Sequence, residues 1–112
     1  MTIPAEQKQA VLNNFYFLCD SFLPSPEIKT KLKIVFQDQA IEGRTFFKFS
    51  DKSFIISFWN QEYKSHDSLL KVVAHEFTHV IFFLNQGQHK HDWVFFIYVE
   101  AFYYWLKAQT KN

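Results

Sequence analysis

The segment His75-Glu76-Phe77-Thr78-His79 constrains this chain more than any other stretch. It lies inside a run that begins Ser68-Leu69-Leu70-Lys71-Val72-Val73-Ala74 and continues Val80-Ile81-Phe82-Phe83-Leu84. The length and apolar periodicity of that run predict a helix from about Ser68 to Leu84, with Ser65 or Asp67 placed to cap it. On a helix, residues four apart project from one face, so both imidazoles can reach a single cation. Such apolar flanks make the helix a buried one, and ionisable side chains are costly in a core unless something compensates. A bound metal would compensate. Imidazoles at an open tetrahedral site suit Zn2+, and Glu76 beside them is placed to accept a proton from water.

The elements around this helix follow from pattern. From Pro4 to about Phe22, apolar residues recur at Ala10, Val11, Phe15, Leu18, Cys19 and Phe22, the spacing of an amphipathic helix. Leu23-Pro24-Ser25-Pro26 breaks it. Leu32 to Phe36, Arg44 to Phe49 and Ser53 to Trp59 are rich in β-branched and aromatic residues and predict three strands. Ser50-Asp51-Lys52 is short enough to join the last two as a hairpin. Gly87 suits the end of the motif helix, and Asp92 can cap a final helix to about Ala108. The expected fold is α+β, with one small sheet and a single domain spanning residues 1–112.

Composition narrows the function classes. Aromatic residues make up 21% of 112 residues and include fifteen Phe, enough bulk for a core in a small domain. The net charge is +1 and the twelve Lys and Arg are scattered, so neither nucleic acid nor an anionic membrane is an expected partner. The most apolar window, Trp93 to Leu106, contains Glu100 and falls short of the roughly twenty apolar residues of a membrane span. No secretory signal pattern opens the sequence, and the single Cys19 sits among apolar residues as a buried thiol, so a cytoplasmic setting is expected.

Catalytic zinc usually takes a third protein ligand, and His89, His91 and Glu100 lie downstream. The motif centres about seven residues before its helix ends, so a metal would sit ~10 Å back from the loop. An antiparallel return helix starting near Asp92 reaches equal height near Val99 and Glu100. Glu100 is also the only charged residue between Asp92 and Lys107. It is therefore the expected third ligand, with His91 the alternative.

These residues resemble a known group. His75-Glu76-Phe77-Thr78-His79, followed by Glu100 in Glu100-Ala101-Phe102-Tyr103-Tyr104-Trp105, looks like the gluzincin metallopeptidases in a minimal single-domain form. The resemblance implies a zincin-like fold, zinc held by His75, His79 and Glu100, and Glu76 as general base and acid. Where thermolysin-like gluzincins carry an Asp four residues after the ligand Glu, this sequence has Tyr104. A second likeness, to SprT-like proteins, rests on His91-Asp92-Trp93-Val94-Phe95 and would make His91 the third ligand.

The implied activity is hydrolysis of a peptide or protein substrate. An extended substrate would add to a sheet edge, for which Ser53 to Trp59 is the candidate strand. Tyr103 or Tyr104 is a candidate to stabilise the oxyanion. The competing expectation is a non-catalytic, zinc-stabilised partner-binding module. Tyr104 favours the module and the intact Glu76 favours the enzyme.

Overall fold

The computed structural model describes residues 2–86 and 91–109. Helix α1, Ala5–Phe22, turns Val11, Phe15, Leu18 and Cys19 inward at the expected spacing. It ends at Leu23, ahead of Pro24, which cannot donate to a continuing helix. A single turn, α2 (Pro26–Lys29), follows with Pro26 at its start and the Ser25 hydroxyl accepting from Glu27 N–H at 3.2 Å. The sequence reading placed only a break there.

Strands β1 (Leu32–Gln37), β2 (Gly43–Lys48) and β3 (Ser53–Trp59) match the expected runs to within a residue or so. They form a mixed sheet in the order β1-β3-β2, β3 running parallel to β1 and antiparallel to β2. The expectation that β3 would be an edge strand is therefore corrected: it is the centre of the sheet. Its apolar content explains the position, because Phe54, Ile56 and Phe58 are buried and a strand paired on both sides suits such a run. β2 takes the edge. Lys52, in the hairpin turn, has φ 55°, and Asp51 accepts from both the backbone and hydroxyl of Ser53.

Helix α3, His66–Gln86, carries the motif and starts beside Ser65, whose hydroxyl accepts from Ser68 N–H at 3.0 Å. Helix α4, Trp93–Gln109, is capped by Asp92, whose carboxylate accepts from Phe95 N–H at 2.9 Å. Gly87 and His89, singled out in the sequence, lie outside the described residues. Among the described residues the architecture is thus α+β, four helices with a small three-stranded mixed sheet. No helix among them is long and apolar enough to cross a membrane.

The core lies where α1, α3 and the sheet meet. Phe15 is fully buried and meets Phe58 of β3 and Phe77 of α3 edge to face, at 6.0 and 5.8 Å between centroids. Truncation there removes contacts to the sheet and to the motif helix together. Phe15→Ala is expected to cost about 3–5 kcal/mol of unfolding free energy, read from denaturant midpoints at constant slope. Cys19 is buried in the same core, its thiol pushed up to about 12 chiefly by desolvation, as befits an inert side chain.

Candidate metal centre and cleft

α3 presents His75 and His79 one turn apart with ring centroids at 4.9 Å. His91, just ahead of α4, supplies a third ring, 5.1 Å from His75 and 4.8 Å from His79. Nε2 of His91 lies 2.9 Å from Nε2 of His79. One ligand atom from each of the three residues lies within 4.8 Å of the others. At a tetrahedral zinc, nitrogens ~2.0–2.1 Å from the ion stand about 3.3 Å apart, so the close pair opens by about 0.4 Å and a separation of 4.8 Å closes by about 1.5 Å, within the reach of side-chain rotation. Three imidazoles with a fourth position left open is the donor set of a catalytic zinc rather than of a closed structural one. The residues fit the ion.

Phe95 forms the apolar wall behind the rings. It is fully buried and lies 4.5 Å from His79, 5.0 Å from His91 and 5.1 Å from His75. Low polarity around a metal site strengthens its electrostatics and limits water access. The position of Phe95 follows from aromatic packing: α4 lays Phe95 and Tyr98 on Phe82, and Phe102 on Phe77.

Glu76 is 3% exposed and packs against β2. Thr45 donates its hydroxyl hydrogen to Oε1 at 2.7 Å. Burial pushes the carboxyl up to about 7, with the Thr45 hydrogen bond and the nearby Arg44 charge pulling the other way. Such a group accepts and returns protons near neutrality. Gly43 makes the packing possible. A Cβ there would stand 2.7 Å from Oε2 and 2.9 Å from both Cγ of Glu76 and Cγ1 of Val72. Neither Gly43 nor Thr45 was singled out from the sequence as a site residue, although Gly43 is one of two glycines and opens a strand, a common mark of close backbone approach.

His75, Glu76, His79, His91 and Glu100 all line one open cleft of about 1040 Å³. Glu100, the expected third ligand, is exposed on the α4 wall and stands outside the group of convergent imidazoles. The structure thus brings together the two motif histidines and His91, the alternative. Tyr103 donates its hydroxyl hydrogen to Asp67, which also meets Lys107 at 3.4 Å and Lys71 at 3.8 Å, tying α4 to the start of α3. Tyr104 is 60% exposed and lines the cleft. Comparison with family models, curated proteins and solved structures finds no match.

Proposed function

We propose that this chain is a zinc-dependent metallopeptidase with a zincin-like arrangement, in which His75, His79 and His91 hold the ion and Glu76 is the general base. The observation that carries the reading is the convergence of three imidazoles beside a buried carboxylate, on the wall of an open cleft. Zinc held there would supply a Lewis acid able to acidify water and polarise a carbonyl.

The remaining work falls to the protein's own groups. Glu76 accepts the water proton and returns it to the leaving amine, a task matched to a carboxyl near 7. Thr45 occupies Oε1 and so fixes the carboxylate plane, while the absent side chain at Gly43 leaves room at Oε2. The edge of β2, unpaired among the described residues, offers main-chain hydrogen bonds to an extended peptide, the role first assigned to β3. Glu100, exposed on the α4 wall of the same cleft and outside the imidazole group, is left to the substrate rather than the ion.

Elemental analysis of the purified protein, followed by digestion of a mixed peptide library, tests the reading. One zinc per chain and cleavage that stops with chelator and returns with zinc are expected. Failure to bind zinc sinks the proposal; stoichiometric zinc without cleavage selects the partner-binding module. Gly43→Ala supplies a narrower check. The added methyl forces the base aside, and turnover is expected to fall about a hundredfold with zinc content unchanged, as follows from a misplacement of about 1 Å.

A further inference from the structure

All of residues 41–47 line the cleft. Side chains of a strand alternate between two faces, so consecutive lining means that the backbone edge of β2 itself borders the cavity. The ladder to β3 fixes which groups point there. Trp59 N–H donates to the Glu42 carbonyl at 3.1 Å, which puts these two opposed residues at a hydrogen-bonded site of the ladder. By alternation, Arg44 and Phe46 also bond inward to β3, and Gly43, Thr45 and Phe47 turn their N–H and C=O groups to the open edge.

The same three residues face α3, Thr45 and Phe47 with their side chains and Gly43 with the side on which a Cβ would stand. Gly43 meets Glu76 and Val72, Thr45 bonds Glu76, and Phe47 stacks on Phe83 with centroids 5.2 Å apart and planes at 21°. A strand laid on this edge therefore passes the base at Gly43 and Thr45. Two residues on, about 7 Å further, it reaches an aromatic wall. Phe49 extends that wall, 4.7 Å from Phe47 and 6.5 Å from Phe83, and leaves 66% of its surface exposed beside the cleft. The other end of the cleft carries Lys71, Glu100 and Tyr103. Three phenyl rings thus lie together along the strand from the base.

We propose that Phe47, Phe49 and Phe83 form a side-chain subsite for a bulky apolar residue, selecting peptides that carry one a position or two from the scissile bond. What is cut there rests on the peptidase reading; the subsite itself rests on the strand edge and the three rings.

The test separates the two. Glu76→Gln protein, loaded with zinc, is titrated with a capped, fluorescent-labelled peptide bearing a central Phe and with its Gly counterpart, followed by anisotropy. Burying a ring in the subsite predicts at least about tenfold tighter binding of the Phe peptide. Phe49→Glu, at an exposed position, and Phe83→Ala in the same background are each expected to erase that preference. Equal binding of the two peptides, no binding of either, or a preference that survives Phe49→Glu overturns the subsite. Wild-type cleavage of the library with no apolar preference overturns it too. A Phe preference in binding, with no cleavage by wild type, confirms the subsite and sinks the peptidase reading instead.

Discussion

Glu76→Gln is expected to keep its zinc and lose turnover by about 10²–10⁴-fold, the range that a positioned base contributes. The amide preserves the shape packed against Gly43 and can still meet Thr45, so the fold and the imidazoles are undisturbed. The same substitution has an opposite effect on the stability of metal-free protein. Burial holds the folded carboxyl at about 7 against an ordinary 4.5, so the folded state binds this proton more tightly than the unfolded one. The stabilisation is complete below about 4.5 and is lost as pH rises towards 7, an amount on the order of 3 kcal/mol for a shift of this size. With chelator present, Glu76→Gln is therefore expected to melt higher than wild type at pH 8 and to lose that advantage at pH 4.5. A wild-type melting curve with the same pH dependence as Glu76→Gln would remove the desolvated carboxylate from the account.

His91→Ala against Glu100→Ala is the second large contrast. With His91 in the convergent group, its truncation is expected to weaken zinc binding by more than about a hundredfold, since losing a group that merely orients a ligand already costs about 10–100-fold. Glu100→Ala is expected to retain full zinc content in competition with a chromophoric chelator and to alter only the Michaelis constant. The reverse pattern would restore the glutamate as ligand and leave His91 as a wall residue.

Why the sequence favoured Glu100 is instructive. An antiparallel return of α4 along α3 puts Val99 and Glu100 level with the motif centre but leaves open which way their side chains point. The observed register is set by Phe95, Tyr98 and Phe102 packing on Phe82 and Phe77. Phe102 seats on Phe77 at the motif centre, two residues from Glu100, while Glu100 itself is exposed and His91, just ahead of α4, reaches the motif imidazoles. In a helix apolar all round its circumference, periodicity does not say which aromatic seats first. By contrast, α1, the three strands and the caps at Ser65 and Asp92 were legible because local chemistry decides them. Strand order was not, since it depends on which run can be buried from both sides. The partners of Glu76 were also hidden, because Thr45 lies thirty-one residues away and only the fold brings it close.

The free edge of β2 has a further consequence for how the protein behaves at high concentration. A strand border that accepts a peptide also accepts a second copy of itself. In the antiparallel register that sets Thr45 against Phe47 of another molecule, Arg44 stands opposite Lys48, and like charges facing across a ladder repel. Two cations on six residues thus guard against self-templating while leaving the main-chain groups accessible. Neutralising them would trade that colloidal protection for a stickier border, and losing the Arg44 charge would also push the Glu76 carboxyl further up.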